Sequence, residues 1–234
     1  MISKIRAFSA VLYVLLVIPW SILFMYLFPK YHRKVRRVTA SAFFKLFGVS
    51  AKIIGELDKT AQVLVMNHQS FMDVVYFEAF HPNDLCWIAK KELGEPFLYG
   101  HALKAPKMIL INRESKRESV FLLKEAKDRL SKGRVLCIFP EGTRSLGKEK
   151  FLPFKSGAKF LIEHFHLKVQ PIIFCGTRDC LDIGSMKFDN HPFSIKYLPA
   201  FTPNEENWYE SLREQMQQEY LKIYQERKNV CMVE

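Results

Sequence analysis

The amino-acid sequence predicts an α/β fold in which a mostly parallel central sheet is flanked by helices, with an N-terminal helical element embedded in a membrane. An uncharged apolar segment occupies residues 7–28, and after Gly48 short apolar runs alternate with helical patterns. The chain has 234 residues, of which 49% are apolar and 25% charged. This length and composition fit one globular domain with an appendage and exclude a disordered or collagen-like chain.

The first element is the apolar segment at residues 7–28. As one helix it would extend about 33 Å, close to the thickness of the hydrocarbon layer of a bilayer. The alternative is a signal peptide, but the run is longer than is typical for one and no small-x-small cleavage site follows it. Pro19 can kink or divide the helix. A second apolar stretch at residues 40–47 would lie along the interface if helical, so a single span and a re-entrant helical pair both remain open.

A basic cluster follows the apolar segment. Its five cations are Lys30, Arg33, Lys34, Arg36 and Arg37, whereas Lys4 and Arg6 precede the segment. The heavier C-terminal flank predicts that the main body lies on the cytoplasmic face of the membrane, which in a bacterium is the inner membrane. The whole chain carries a net charge of +11, which favours anionic partners. We therefore divide the chain into a membrane-anchoring motif at residues 1–48 and an α/β domain at residues 49–234.

Strands and helices of the α/β domain are predicted from hydrophobic periodicity. Strands are predicted at residues 62–66, 85–89, 107–111, 135–139, 169–174 and 193–197, and helices at residues 74–80, 115–133, 157–165 and 206–228. Ser115 and Glu118 form a capping box that opens the second of these helices, which ends at Gly133. Because this helix joins two strands in a β-α-β crossover, those two strands should be parallel.

Polar residues that directly follow the predicted strands define a candidate site. Ligands bind beyond the carboxyl ends of parallel strands, where such residues converge. They are Asn67, His68, Lys90, Lys91, Asn112, Arg113, Glu141, Gly142, Thr143 and Arg144. A histidine with a nearby aspartate, several cations and a glycine turn predict a site that activates a hydroxyl group near a phosphate.

The segment NHQSFMD contains the predicted reactive pair. On a regular helix His68 and Asp73 would be rotated apart by about 140°, so a turn with Ser70 as N-cap must precede the helix. Asp73 could then hydrogen-bond one imidazole nitrogen while the other faces the substrate, which makes His68 a general base. The alternative is that Ser70 and Asp73 form only a capping box. Ser70 is also a nucleophile to be tested, although the N-cap role is favoured.

The segment FPEGTRS contains predicted anion-binding groups. Gly142 permits a positive φ and a close approach of the backbone, Thr143 adds a hydroxyl group, and Arg144 offers a bidentate fork to phosphate. The alternative is an ordinary Glu-Gly turn with a solvated arginine. Together with His68 and Asp73, this segment favours a phosphomonoester ligand.

Neither a metal site nor a disulfide framework is predicted. The five cysteines are odd in number and include no C-x-x-C pair, so reduced thiols are expected. His164 and His166 are a metal-like pair with no third ligand nearby in the sequence.

These segments resemble the motifs of the glycerolipid acyltransferases, in particular the bacterial lysophosphatidic acid acyltransferases of the PlsC type. Four blocks occur in the family's order: NHQSFMD, KMILINR, FPEGTRS and VQPIIF. The resemblance covers about residues 60–200, and the N-terminal apolar element fits the family's membrane anchor. Lys107 replaces the glycine that usually opens the KMILINR block, and Gln170 lies in a block that is usually richer in valine. These departures affect the assignment of the acceptor more than that of the reaction.

The resemblance implies transfer of a fatty acyl group from acyl-CoA or acyl-carrier protein to the free sn-2 hydroxyl of lysophosphatidic acid, which gives phosphatidic acid. It implies that His68 is the base and Asp73 its orienting partner. The implied acceptor-binding and structural residues are Arg113, Glu141, Gly142, Thr143 and Arg144, with Lys90 or Lys91 on the phosphate and Asn67, Ser70 and Pro171 supporting the motifs. No metal or cofactor is expected besides the acyl donor. The expected partners are the lipid bilayer, a lysophospholipid and that donor, and not nucleic acid.

Two alternatives remain open. A related acyltransferase could act on another lysolipid, on a glycerol phosphate or on lipid A, although lipid A enzymes would not be expected to carry the E-G-T-R block. A non-catalytic basic protein of membrane surfaces would account for the charge and the anchor. That reading leaves His68, Asp73 and Arg144 unexplained and lacks any basic-aromatic RNA signature.

Overall fold

The computed structural model of the protein describes residues 2–112, 118–182, 184–189 and 191–231. The helices are α1 (Ile2–Leu27), α2 (His32–Phe47), α3 (Phe71–Phe80), α4 (Phe97–Lys104), α5 (Glu118–Ser131), α6 (Ser156–Phe165), α7 (Thr177–Cys180) and α8 (Trp208–Cys231). The strands are β1 (Ala51–Ile54), β2 (Val63–Met66), β3 (Leu85–Lys90), β4 (Ile109–Ile111), β5 (Val135–Ile138), β6 (Val169–Cys175), β7 (Leu181–Asp182), β8 (Lys187–Phe188) and β9 (Phe193–Tyr197).

A seven-stranded sheet forms the centre of the fold, with the strand order β1-β9-β6-β2-β5-β3-β4. The five strands from β6 to β4 in this order are mutually parallel. β9 runs antiparallel to β6 and parallel to β1, and β7 and β8 form a separate two-stranded sheet. The predicted fold class is confirmed. β4 and β5 are parallel, as the crossover predicted, but β3 lies between them.

The central strands are buried along their whole length. β2, β5 and β6 are covered on both faces, so their sequences are nearly continuous apolar runs. These apolar runs allowed the three strands to be predicted from the sequence. β1 is an edge strand in which Lys52 and Ile53 are exposed and both end residues are half-buried, and the sequence analysis missed it.

The third predicted strand begins later than expected, at Ile109 rather than Lys107. Lys107 has a φ of 55°, in the left-handed region that favours glycine, and it closes the turn after α4. Its carbonyl oxygen accepts hydrogen bonds from Arg129 and Arg134. The position that departs from the family's glycine therefore adopts a conformation typical of glycine. The predicted capping residue Ser115 lies outside the described residues.

The two N-terminal helices pack against the α/β domain and share its hydrophobic core. Ala40, Phe43, Phe44 and Phe47 of α2 are buried in that core. The second apolar stretch is therefore helical, and its aromatic side chains face the protein core. Its position along a membrane interface stays a prediction. Most large side chains of α1 remain exposed. Within the described residues α1 alone has the length and apolar composition to cross a membrane.

Both ends of α1 contact the α/β domain. Near its start, the hydroxyl of Ser3 accepts a hydrogen bond from the Phe188 backbone at 3.1 Å. Near its end, the hydroxyl of Tyr26 is hydrogen-bonded to Nδ1 of His101 on α4 at 2.8 Å. Both ends of α1 are therefore held against the α/β domain.

A buried ion-pair cluster joins α2 to α3 and β3. Arg33 is 2.9 Å from a carboxylate oxygen of Glu78, and Arg36 pairs with both Glu78 and Asp84. The indole N–H of Trp87 donates to the same Glu78 carboxylate at 2.7 Å. Two of the five cations of the basic cluster are thus turned inward. The other three, Lys30, Lys34 and Arg37, are exposed.

Replacement of Glu78 by glutamine should lower the free energy of unfolding by about 3 kcal/mol, because it leaves buried guanidinium charge uncompensated. The matched control is Lys132→Gln, which removes an exposed ion pair with Asp128 and should change stability by less than about 0.5 kcal/mol. Chemical unfolding followed by circular dichroism measures both. Equal effects of the two substitutions would show that the cluster does not stabilise the fold.

Candidate active site

The strand order brings most of the predicted site residues to one edge of the sheet. β2, β5, β3 and β4 are parallel neighbours, about 4.8 Å apart, so their carboxyl ends lie side by side. His68 follows β2, Glu141 to Arg144 follow β5, Lys91 follows β3 and Asn112 follows β4. Arg113 lies outside the described residues.

His68 and Asp73 form a hydrogen-bonded pair. Nδ1 of His68 lies 2.8 Å from Oδ2 of Asp73, whose side chain is fully buried. The chain turns after β2, and α3 begins only at Phe71, with Ser70 in an extended conformation as its N-cap. The hydroxyl of Ser70 accepts the backbone N–H of Met72 at 3.0 Å, which is the capping role. The expected turn is therefore present, and the dyad and the capping box occur together.

The Asp73 carboxylate accepts four hydrogen bonds. Oδ2 accepts from Nδ1 of His68 and from the backbone N–H groups of Gln69 and Ser70, at 2.7 and 3.0 Å. Oδ1 accepts from the hydroxyl of Thr177 at 2.5 Å. A carboxylate has about four acceptor positions, so this one is saturated. An ionised carboxylate only accepts hydrogen bonds, so Nδ1 of His68 carries the proton and the lone pair of a neutral ring lies on Nε2.

An aromatic stack fixes the plane of the imidazole. The ring of Phe139 lies 3.8 Å from that of His68, with an angle of 12° between the planes. Trp87 is 5.5 Å from Phe139 on a similar plane, and its indole is tied to Glu78. The orientation of the imidazole is therefore fixed by two contacts. Asp73 hydrogen-bonds its edge, and Phe139 stacks on its face.

The FPEGTRS segment holds the backbone of His68. The Glu141 carboxylate accepts the N–H of His68 at 2.9 Å and the N–H of Leu152 at 2.8 Å. Ser145 donates both its backbone N–H and its hydroxyl to the carbonyl of His68, at 2.8 and 3.0 Å. Burial raises the pKa of Glu141, and the two backbone hydrogen bonds oppose that rise. Glu141 is thus buried and holds the main chain of His68 in place through its carboxylate.

Asn67 and Gln69, on either side of His68, connect the site to β6 and α8. The amide of Asn67 exchanges two hydrogen bonds with the backbone of Phe174, at 2.9 and 2.7 Å. Gln69 accepts the N–H of Gly176 at 2.9 Å and donates to the hydroxyl of Tyr220 at 3.0 Å. Both side chains are buried, and they hold the turn that presents His68.

Pro171 and Gln170 lie in the sheet rather than at the candidate site. Pro171 pairs with Val65 of β2, and its carbonyl accepts the N–H of Leu198 at 3.0 Å. The buried amide of Gln170 holds the loop before β2 through the backbone of Asp58 and Glu56. The polar residue that departs from the family's pattern therefore replaces no site group.

The candidate phosphate ligands are exposed at the edge of the site. Gly142 has a φ of 75°, as its predicted turn requires, and Thr143 and Arg144 are solvent-accessible. Lys91 is exposed, and Lys90 forms an exposed ion pair with Glu92 at 3.1 Å. Partial burial raises the pKa of Tyr99 on α4, and the positive charge of Arg144 opposes this rise.

A cavity of about 430 Å³ opens beside the stacked ring of Phe139. Its apolar lining includes Ile88, Ile111, Leu122, Ile138 and Leu161, with Asn112, Glu118 and Lys155 among the polar lining residues. Its size and mixed lining are typical of a small-ligand pocket.

The cysteines and metal-ligating side chains form no second site in the part of the chain that the structure describes. Burial raises the pKa of Cys175 and of Cys180 to about 12, which makes both thiols poor nucleophiles. No group of three or more histidine, cysteine, aspartate or glutamate side chains with metal-binding geometry occurs among the described residues.

The fold and the site define an α/β protein in which a buried carboxylate orients a histidine at the carboxyl edge of a parallel sheet, an arrangement that is suited to general-base chemistry. Residues 48–175 match the Acyltransferase family. A 1-acyl-sn-glycerol-3-phosphate acyltransferase of Helicobacter pylori is 48% identical over 192 residues, which cover 81% of each chain. A lyso-ornithine lipid O-acyltransferase of Brucella abortus is 29% identical and covers 76% of this chain and 70% of that protein.

A solved structure has the same fold. The crystal structure of the 1-acyl-sn-glycerophosphate acyltransferase PlsC from Thermotoga maritima superposes with a TM-score of 0.72, covering 95% of this chain and 96% of that chain at 20% identity. Together with the family match, these similarities show that the chain belongs to the acyltransferase family.

The sequence analysis missed Thr177, Phe139 and Ser145. Thr177 is 104 residues from Asp73 in the sequence, and a single hydroxyl carries no periodic signal. Phe139 was assigned to a strand as a core residue, although its ring faces the imidazole. Ser145 directly follows the E-G-T-R block, and that position was its only available signal.

Thr177→Val should lower kcat by roughly tenfold with little change in KM, because a hydrogen bond to a charged group is worth about 1.5 kcal/mol and this one orients the partner of the base. Thr177→Ser restores a hydroxyl and should recover most of the rate. Steady-state acyl transfer by both variants tests this. A serine variant as slow as the valine variant would assign the loss to packing instead.

Proposed function

We propose that this enzyme transfers a fatty acyl group from an acyl thioester to the sn-2 hydroxyl of 1-acyl-sn-glycerol-3-phosphate, with phosphatidic acid as the product. The observation that carries the proposal is the His68–Asp73 pair at one sheet edge with the exposed cation Arg144. The Helicobacter pylori relative, whose name states this reaction, supports the choice of acceptor.

The proposed mechanism is direct transfer between two bound substrates. Nε2 of His68 accepts the proton of the lysolipid hydroxyl as its oxygen attacks the thioester carbonyl. The tetrahedral intermediate collapses, the C–S bond breaks, and the thiolate leaving group takes the proton from the imidazolium. Asp73 stays ionised and stabilises the cationic ring through Nδ1. The reaction balances without a metal or cofactor and without an acyl-enzyme, and the hydroxyl of Ser70 is engaged as the cap of α3.

The donor in this proposal is acyl-CoA or acyl-carrier protein, since both present the same thioester chemistry.

The acceptor phosphate binds to Arg144 together with Lys90 or Lys91, and Arg113 would add a further cation. Lys91 is the better candidate of the two lysines, because Lys90 already pairs with Glu92. Gly142 and Thr143 supply a turn at which the phosphate can approach the backbone.

We also propose that α1 and α2 hold the enzyme on the cytoplasmic face of a membrane, the inner membrane in a bacterium. The exposed side of α1 is apolar, and both of its ends contact the α/β domain, which suits a helix lying in the interface. The exposed cations Lys30, Lys34 and Arg37 would favour anionic lipid, at about 1 kcal/mol each. This location gives access to an acceptor that resides in the bilayer and a donor that arrives from the cytosol.

His68→Ala should lower kcat by at least about a hundredfold, the usual loss for a general base, while the melting temperature changes little. Thiol release from acyl-CoA with lysophosphatidic acid as acceptor measures the rate. Ser70→Ala is the companion variant, and its loss should follow helix stability rather than chemistry. A folded His68→Ala protein with normal turnover would overturn the mechanism.

Arg144→Ala should raise the apparent KM for lysophosphatidic acid at least tenfold while the KM for acyl-CoA stays within about twofold, because a charge-assisted pair is lost from one substrate. Lys148→Ala, at an exposed cation near the same segment, is the matched control. Acceptor panels should include lyso-ornithine lipid, the acceptor type of the Brucella relative, which lacks the phosphate. Equal shifts in both KM values, or a preference for the phosphate-free lipid, would contradict the acceptor assignment.

A further inference from the structure

A group of large apolar side chains is exposed between β3 and β4. Leu93, Phe97 and Tyr99 are 42%, 84% and 37% exposed. We call these three residues the α4 surface. The segment that carries them follows Lys90, so it lies at the carboxyl edge of the sheet, the same edge as His68.

The α4 surface belongs to an ordered, tightly packed segment. A Cβ atom at Gly100 would lie 2.1 Å from the carbonyl oxygen of Gly94, so two backbone segments touch at a position where only glycine fits. The N–H of Gly100 also donates to the carbonyl of Pro96 at 2.6 Å. The backbone that carries Phe97 is therefore tightly packed, and an exposed aromatic ring beside other exposed apolar side chains is typical of an interaction surface.

The α4 surface is continuous with the apolar side of α1. The ring of Phe97 packs edge-on against His101 at 5.2 Å, and His101 is hydrogen-bonded to the hydroxyl of Tyr26 at 2.8 Å. Leu23 and Leu27, exposed on the same helical turns as Tyr26, extend the apolar surface along α1. Tyrosine near the end of a membrane-active helix is typical of the depth at which lipid headgroups meet the acyl chains.

We infer that the α4 surface is a second lipid-binding surface, whose occupant is the interfacial layer of the bilayer that α1 contacts. This inference rests on the proposed membrane association of α1 and goes beyond it. The aromatic composition of the surface and its continuity with α1 fit the interfacial layer of a bilayer better than a protein partner. The exposed cations Lys91 and Lys104 are balanced by the exposed carboxylates Glu92 and Glu95 of the same segment.

A second contact fixes the orientation of the enzyme on the membrane. A single helix lying in the interface leaves the domain free to roll about the helix axis, and a contact beside it removes that freedom. Because α4 follows β3 and Arg144 follows β5 at the same carboxyl edge of the sheet, the contact places the edge that carries the candidate phosphate ligand next to the headgroup layer. A lysolipid could then reach the site by a short lateral path.

Photocrosslinking of the full-length protein tests the inference. Benzoylphenylalanine is placed at Phe97, at Leu23 on α1 and at Phe121 on α5, which is 42% exposed on another part of the domain. Each protein is irradiated on vesicles of phosphatidylcholine and phosphatidylglycerol, and lipid adducts are detected by intact-mass spectrometry. Adducts at positions 97 and 23 but not at 121 are expected. An adduct at 23 without one at 97, adducts at neither position, or a crosslink from 97 to a second copy of the chain would overturn the inference.

Kinetics of Phe97→Ser give a second measurement. The apparent KM for vesicle-presented lysophosphatidic acid should rise at least fivefold, while the rate with a short-chain, water-soluble acceptor stays within about twofold of the wild type. Phe121→Ser, the matched control, should change neither value. Equal effects of Phe97→Ser on both acceptors would overturn the inference. If the wild type fails to acylate lysophosphatidic acid, the proposed function fails, and the crosslinking result still decides whether the α4 surface contacts lipid.

Discussion

The geometry of the site depends on the buried carboxylate of Asp73. Its four hydrogen bonds connect the turn after β2, the first turn of α3 and the start of α7. The Asp73 carboxylate caps the start of α3, and the same carboxylate selects the tautomer of His68. A buried carboxylate is costly unless it is paired, and the backbone donors of Gln69 and Ser70 keep Asp73 paired when a side-chain donor is removed.

The two motifs around the site meet at the main chain of His68 rather than at a substrate. Glu141 and Ser145 hold its N–H and carbonyl groups, while Phe139 covers its ring. The Glu141 carboxylate points into the protein and accepts two backbone N–H groups, so its charge does not face the exposed side of the turn. The residues left exposed on the same turn, Thr143 and Arg144, are those suited to an anion.

Sequence patterns predicted the elements in which burial is continuous and the chemistry is local. β2, β5 and β6 are apolar runs between turn residues, and the His68–Asp73 spacing required a turn followed by a cap. Edge strand β1 and helix α4 escaped prediction because their exposed positions break the periodicity. The sequence also did not predict that Arg33 and Arg36 point into the protein. A run of basic residues has the same sequence whether its partners are lipids or carboxylates that are distant in the chain.

The ion-pair cluster between α2 and α3 has a consequence for the order in which the chain matures. A ribosome releases Arg33 and Arg36 before Glu78 and Asp84, so the positive partners are already placed on α2 when the acidic ones emerge. α3 can then be buried with its countercharges present, and the costly state of a lone carboxylate in the core is avoided. The N-terminal helices can thus act as a template during synthesis, against which the α/β core is completed.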